Sequence, residues 1–377
     1  MVQGEGEIVL ADFMKAVVLT GHGGLDKLVI QDDLPIPKPK TNEVLIEVGA
    51  CGINSTDINT RIGWYSKSVS SGATTAGGTD GIDQISEVDA TWGGSTVVFP
   101  RIQGADVAGR IVAVGQGVSQ KRAGERVIID PWIRDRSYPE DRNLTGYFGS
   151  ERDGGFAQYT TVPEENAFVI KSNLSDAELA TFPCSYSTAE HMLDRIRLHE
   201  GEKILIPGAS GGVGSALIQL AKRRKAQVLA ITSKSKMDMI RELGADDVFD
   251  RNQKDLEQNI RKIAPGGKVN VVADVVGGTS FSMFLNLLCR GGRYVTSGAI
   301  AGPVIELDLR VLYLKDLEMH GATVMQVGIF EKLVGYIENG EIRPLLAKKF
   351  PISKIKGAQE EFLNKKHIGN FIILPWQ

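Results

Sequence analysis

The stretch Lys203-Ile204-Leu205-Ile206-Pro207-Gly208-Ala209-Ser210-Gly211-Gly212-Val213-Gly214-Ser215-Ala216-Leu217-Ile218-Gln219-Leu220-Ala221-Lys222 decides the fold. An apolar run enters a glycine-rich turn, and a run suited to a helix leaves it. Residues 203–207 read as a buried strand and residues 215–222 as a helix. A glycine turn between them meets the needs of a pyrophosphate. Gly208 makes the tight exit from the strand, Gly211 or Gly212 lets the backbone approach the phosphates, and Gly214 lets the helix pack on the sheet. Ser210 and Val213 complete the cradle, and the helix start offers free N–H groups and the positive end of its dipole. By itself the turn asks only for a phosphate-bearing ligand.

Downstream the ligand becomes more specific. The strand Gln227-Val228-Leu229-Ala230-Ile231-Thr232 ends without the Asp or Glu that holds an unmodified ribose 2′-hydroxyl, and no acid occurs before Asp238. Thr232, Ser233 and Lys234 stand there instead, and Arg251 follows the next strand. Hydroxyls and cations suit a 2′-phosphate, so the expected cofactor is NADPH. Lys236 reads equally as a solvated helix cap and is given less weight. Arg251 reads equally as a plain surface arginine.

The strand–helix grammar continues through a helix at 237–243 and strands at 248–250, 269–274 and 292–297. Apolar strands alternating with helices predict a parallel sheet covered on both faces, so the fold class is α/β with a doubly wound sheet. Upstream the chain reads as β, with strands at 14–19, 43–48, 108–115 and 125–129. Between these lies residues 64–94, rich in Gly, Ser, Thr and Ala, expected to be a long surface loop or lid. From about Gly321 come a helix, a Pro-bounded strand near Phe350 and a final strand at 370–374.

At 377 residues the chain suits two domains. A net charge of −3 gives no electrostatic reason to expect nucleic acid or an anionic membrane. Lys222-Arg223-Arg224-Lys225 reads as a solvated helix end. Cys51, Cys184 and Cys289 are odd in number, far apart and set among apolar neighbours, which argues against a disulfide framework and for a reducing cytoplasm. No CxxC occurs, residues 1–13 lack a signal-peptide pattern, and no stretch approaches a membrane span.

Taken together, several blocks resemble the medium-chain dehydrogenase/reductase superfamily from Met14 to Leu374. They are Met14-Lys15-Ala16, Val44–Val48, Cys51-Gly52-Ile53-Asn54-Ser55-Thr56-Asp57, Gly104–Gly109, Val112–Gly115, Asp153–Tyr159, the 208–214 turn and His367-Ile368-Gly369-Asn370. The resemblance implies a GroES-like β-rich catalytic domain at 14–184, interrupted by a Rossmann domain at 185–320 and resumed at 321–377. Most relatives have a much shorter connection where residues 64–94 stand. Further cofactor contacts are expected at Thr188, Val275, Ser297, Gly298 and Asn370. A homodimer or homotetramer is expected from the family.

Within that family the chain departs from the zinc branch. Asn54 stands where that branch has a cysteine ligand, and Ala105 where it has a histidine. Cys184 matches the third ligand position, Asp106 replaces a glutamate, and the four-cysteine structural lobe is missing. One thiolate with distant carboxylates makes a poor tetrahedral zinc site, so no metal is expected. Cys184 then reads as a small buried residue at the domain junction. The similarity is to the zinc-free quinone oxidoreductase-like branch, whose hydride goes to a quinone or an α,β-unsaturated carbonyl. There the enolate spreads the charge, and donors with good positioning suffice.

The residues expected to carry that chemistry are Asn54, Thr56 and Asp57. Asn54 would orient the nicotinamide carboxamide or touch the substrate oxygen, and Thr56 would donate from its hydroxyl. Asp57 would orient its neighbours. Tyr65 and Tyr147 are proton-donor candidates in the sense that any tyrosine near a pocket is. Two other readings compete: an alcohol or aldehyde dehydrogenase with an unusual metal site through Cys184, and a dinucleotide-binding sensor with little catalysis.

Overall fold

The computed structural model describes residues 11–94 and 96–377. Six strands form a fully parallel sheet in the order Asp247–Asp250, Gln227–Thr232, Lys203–Pro207, Val269–Asp274, Leu288–Thr296 and Glu318–Gly321. The order reverses between Lys203–Pro207 and Val269–Asp274. Crevices at such reversals are where open α/β sheets bind ligands. Leu205, Leu229 and Val272 pack into one apolar layer, and Ile204, Ile206, Val228 and Val271 into another. The sheet is therefore covered on both faces, which is why its strands read as unbroken apolar runs.

The helix after the glycine turn spans Gly212–Arg223, so it begins inside the glycines rather than at residue 215. Close packing explains this: a Cβ on Gly214 would lie 2.3 Å from the Gly208 carbonyl oxygen. Gly208 itself has φ +66°, a conformation that glycine adopts without steric cost. The strand expected at 292–297 likewise starts earlier, at Leu288.

A second, mostly antiparallel sheet runs Ala167–Val169, Arg126–Ile129, Asp106–Val114, Glu43–Ile53, Asn370–Leu374 and Leu346–Pro351, with Tyr159–Pro163 also pairing to Glu43–Ile53. Phe371 pairs with Ile53 and Ile373 with Cys51, so the last strand completes the sheet begun in the first third of the chain. The strands Leu28–Pro35, Phe13–Leu19 and Arg101–Ile102 form a smaller sheet beside it. A helix at Ile355–Leu363, unmarked in the sequence reading, packs with Ile355, Ala358 and Phe362 inward.

The helix Pro183–Arg195 links the two sheets. Proline at its first turn has no N–H that the helix needs, and the expected boundary at residue 184 falls within that turn. The 64–94 segment differs from a surface loop. It carries the short helix Thr75–Asp80, and Trp64, Val69 and Ala90 are buried. Arg61, fully buried, explains its order. Its guanidinium donates to the carbonyls of Gly23 at 2.8 Å and Gly78 at 2.6 Å, and to Gln359 Oε1 at 3.1 Å. One cation thus satisfies backbone from the insertion and ties it to the late helix.

Candidate active site

The strand Glu43–Ile53 delivers Asn54 to the crevice, the start of Asp106–Val114 delivers Asp106, and the first turn of Pro183–Arg195 delivers Cys184 and Ser185. Asn54 Nδ2 donates to Asp106 Oδ2 at 2.6 Å, and the Cys184 backbone N–H donates to Asp106 Oδ1. Ser185 Oγ donates to Asn54 Oδ1 at 3.3 Å and accepts from Asn370 Nδ2 at 3.2 Å. The result is a continuous chain Asn370–Ser185–Asn54–Asp106–Cys184, buried on every side chain but the thiol. Burial pushes the Asp106 carboxyl up to about 7, against the donors that hold it down.

Asp57 lies behind this chain. It accepts from the Asn54 backbone N–H at 2.7 Å, and its own carbonyl accepts from Gln103 Nε2 at 2.8 Å. Burial lifts its carboxyl to about 7, and the Asn54 and Gly104 N–H groups oppose that rise. Its partners are structural groups, which makes it a positioning residue. Thr56 is half-buried and accepts from the Tyr65 hydroxyl at 3.2 Å. Tyr147, which the sequence could not rank above other tyrosines, donates to Cys184 Sγ at 3.3 Å. It packs edge-on with Trp132 and Trp92, at centroid distances of 4.7 and 6.0 Å. Trp92 belongs to the 64–94 segment, so that segment contributes an aromatic wall beside the thiol.

The donor set fits a catalytic zinc poorly. Both Asp106 oxygens are engaged by N–H donors, Asn54 offers an amide, and Cys184 is the only soft ligand in the chain of contacts. Among the described residues no group of three or more His, Cys, Asp or Glu is placed to hold a metal ion.

The dinucleotide cradle does fit. Gly211 caps its helix without a side-chain bond, which leaves the first-turn N–H groups of Gly212, Val213 and Gly214 free for phosphate oxygens. Val275 and Val276 flank Gly208 across the sheet reversal. Ser297 donates to Met192 Sδ at 3.1 Å, and Gly298 N–H to Thr296 Oγ1 at 3.4 Å, on the neighbouring strand end. Thr188 is half-buried on the same helix as Cys184, one turn further on.

At the ribose end the cations are arranged differently from the expectation. Lys234 is exposed with no partner among the described residues, and Ser233 reaches only Ser235 at 3.5 Å. Lys236 is the one that folds inward. Its Nζ lies 3.4 Å from Ser210 Oγ and donates to the carbonyls of Lys365 at 2.7 Å and His367 at 2.6 Å. Desolvation and then the Arg251 cation push the Lys236 ammonium down, and desolvation and then Lys236 push Lys365 down to about 8. Thr232 is buried with its hydroxyl unpartnered, and Arg251 donates its backbone N–H to the Thr232 carbonyl at 2.7 Å. Lys365 lies 129 residues from Lys236 and carries no local signal that predicts the meeting. No described helix is long and apolar enough to cross a membrane.

Comparison with known proteins agrees with this architecture. The family model of the alcohol dehydrogenase GroES-like domain matches residues 40–172, and that of zinc-binding dehydrogenases matches residues 212–339. A candidate alcohol dehydrogenase from Sinorhizobium meliloti 1021, of known structure, is 44% identical, with TM-score 0.87, covering 97% of this chain and 98% of that one. Quinone oxidoreductase of Rattus norvegicus is 26% identical over 96% of this chain and 98% of its own length. An NAD-dependent alcohol dehydrogenase of Sulfolobus acidocaldarius is 27% identical over 96% and 99%. With its glycine turn at the sheet reversal and a GroES-like domain closing the crevice, the chain belongs to the medium-chain dehydrogenase/reductase superfamily of oxidoreductases, which act on small-molecule substrates.

Proposed function

We propose that this protein is an NADPH-dependent, zinc-independent reductase of quinones or α,β-unsaturated carbonyls. The observation that carries the reading is the Asn54 amide, bonded to Asp106 at 2.6 Å, at the position where the zinc branch has a cysteine ligand. NADPH, when bound, supplies the hydride. The Lys236, Arg251 and Lys365 cations with Ser210 and Ser233 are the groups that would meet its 2′-phosphate.

The chain's own residues then hold and polarise the acceptor. Because the Tyr65 hydroxyl donates to Thr56 Oγ1, the Thr56 hydrogen is left to point at a substrate oxygen. Burial raises the Tyr65 pKa, which keeps its proton in place to strengthen that donor. The Asn54 amide is held by Asp106 and Ser185 and its backbone N–H by Asp57, so it presents fixed dipoles to the nicotinamide side of the crevice. The domain division at 14–184, 185–320 and 321–377, and a homodimer or homotetramer, belong to the same proposal.

The test is an acceptor screen with NADPH and NADH side by side, on protein purified without chelator and assayed for metal. The expected result is NADPH oxidation by a quinone or enone with substoichiometric zinc. Stoichiometric zinc would overturn the mechanism, and preference for NADH would overturn the cofactor assignment. Tight NADPH binding without turnover of any acceptor would favour a sensor instead.

A further inference from the structure

The 64–94 segment is anchored in the GroES-like half on either side of its tip. Trp64 is buried in the apolar cluster of that half, and its indole N–H donates to the Ser71 carbonyl at 3.3 Å. The Lys67 N–H donates to Asp89 Oδ2 at 3.1 Å and the Ser86 N–H to Ser66 Oγ at 3.1 Å, so the segment is also tied to itself. Beyond the tip, Arg61 holds the Gly78 carbonyl at 2.6 Å. The Gly78 backbone lies so near Leu363 that a Cβ there would be 2.5 Å from its side chain. Between these anchors Ser70-Ser71-Gly72-Ala73 carries only small side chains, and it leaves the GroES-like half.

The tip meets residues 298–302, which follow the parallel strand Leu288–Thr296. The Ala73 N–H donates to the Ile300 carbonyl at 2.9 Å. A Cβ on Gly72 would lie 2.8 Å from both the Ile300 carbonyl oxygen and the Ala301 carbonyl carbon, so the approach needs glycine. Residues 298–302 are themselves stitched to the loop after the neighbouring strand Val269–Asp274. The Ala301 N–H donates to the Val276 carbonyl at 2.8 Å, and the Gly278 N–H to the Gly302 carbonyl at 3.1 Å. Val275 and Val276 in turn border Gly208, the first glycine of the cofactor turn. Three neighbouring strands thus end in one connected rim, and the tip of the segment crosses onto it.

The two halves are bridged again by Lys236, which donates to the Lys365 and His367 carbonyls. The bridges differ in kind. Lys236 brings a cation, whereas neither 70–73 nor 298–302 contains a charged residue. The tip is held by one neutral hydrogen bond and backbone contact, the weaker sort of link and the one that opens first. We propose that Gly72 and Ala73 form a latch that catches the Ile300–Ala301 backbone, closes the crevice over a bound dinucleotide, and must open before that dinucleotide leaves. A bound dinucleotide favours the closed form, because it is enclosed only there. The inference rests on dinucleotide binding in the crevice alone, and it holds for NADPH or NADH whatever the acceptor.

The test measures association and dissociation rate constants of NADPH and of NADH on the full chain by stopped-flow fluorescence of the reduced nicotinamide. Gly72→Val drives side-chain atoms into the Ile300 carbonyl and props the latch open. Both rate constants are expected to rise about five- to tenfold, the worth of one neutral hydrogen bond, with Kd changed far less. Ala76→Val, at an exposed position of the short helix Thr75–Asp80, is expected to leave both rates as they are in the wild type. Unchanged rates in Gly72→Val would overturn the latch. So would a faster dissociation alone, with Kd weakened in proportion, which marks a damaged site. Hydrogen exchange at the Ala73 amide of the wild type gives an answer even if Gly72→Val does not fold. Saturating NADPH or NADH is expected to slow that exchange about tenfold or more. Equal exchange with and without bound dinucleotide overturns the latch while the cofactor assignment stands. Binding of NADH alone would overturn the NADPH assignment, with the latch judged on the NADH rates, and binding of neither would overturn both.

Discussion

The backbone of Gly212 packs directly against the Ser185 hydroxyl, so closely that a Cβ at residue 212 would lie 2.4 Å from Ser185 Oγ. Ser185 is also the link between Asn370 and Asn54. One hydroxyl therefore touches the cofactor turn and the hydrogen-bond chain of the candidate active site. Gly212→Ala is expected to displace one or the other at a cost of about 1–3 kcal/mol, read as a tenfold or greater rise in the NADPH dissociation constant. Ser185→Ala in the same background should recover part of that loss. No change on Gly212→Ala would show that the contact is slack.

Asn54 should matter to both stability and rate. In Asn54→Ala the buried Asp106 carboxylate loses the donor at 2.6 Å and keeps the Cys184 N–H. The expected destabilisation is about 1–3 kcal/mol in urea unfolding. The fall in kcat/KM should exceed what Ser185→Ala causes, because only the first removes the amide itself. Equal effects would assign Asn54 a purely structural role.

The cofactor preference is expected to follow Lys236 rather than Lys234. Lys236→Ala removes the cation that bridges Ser210 and the 365–367 carbonyls. Roughly 1.5–3 kcal/mol for a charge-assisted contact predicts a ten- to hundredfold rise in KM for NADPH. KM for NADH should change little, and Lys234→Ala should be close to silent. Parallel changes for both cofactors would argue for a fold defect instead.

Asp57 gives a pH dependence with a definite sign. Its carboxyl sits near 3.8 when exposed and about 7 in the folded chain, mainly through burial. Between those values the folded state holds a proton that the unfolded state has released, so stability falls as pH rises through that window. This group's contribution is full below about pH 4 and lost by about pH 7. Asp57→Asn should shrink the difference between urea midpoints measured at the two ends of that window. Asp106 and Asp130, raised to about 7 by the same cause, contribute to the slope that remains.

The 64–94 segment also reaches the cofactor half of the molecule. The Ala73 N–H donates to the Ile300 carbonyl at 2.9 Å, and a Cβ on Gly72 would lie 2.8 Å from the Ile300 carbonyl oxygen. Ala73→Pro deletes that donor, and a cost of about 1 kcal/mol is expected. Faster protease cleavage within 64–94 and a raised KM for the acceptor would follow if the segment shapes the substrate mouth. Unchanged cleavage and kinetics would leave it a passive covering.

Local sequence carried the parts of this protein that depend on local physics. Alternation of apolar strands and helices announced the parallel sheet, and the glycines of 208–214 announced a tight turn between strand and helix, because only residues without a Cβ pass so close to the backbone. The identities of Asn54 and Ala105, on which the proposed zinc independence rests, were legible for the same reason, since ligand chemistry resides in side-chain identity. The tertiary structure decided what depends on distant parts of the chain meeting. It brought Lys236 rather than Lys234 to Ser210, against carbonyls 129 and 131 residues away. It gathered Asn54, Asp106, Ser185 and Asn370 into one buried chain, and it turned 64–94 from an expected loop into a packed element held by Arg61. A side chain's chemistry is fixed by its own atoms, but its pKa, its partners and its access to substrate are set by neighbours that the linear order does not reveal.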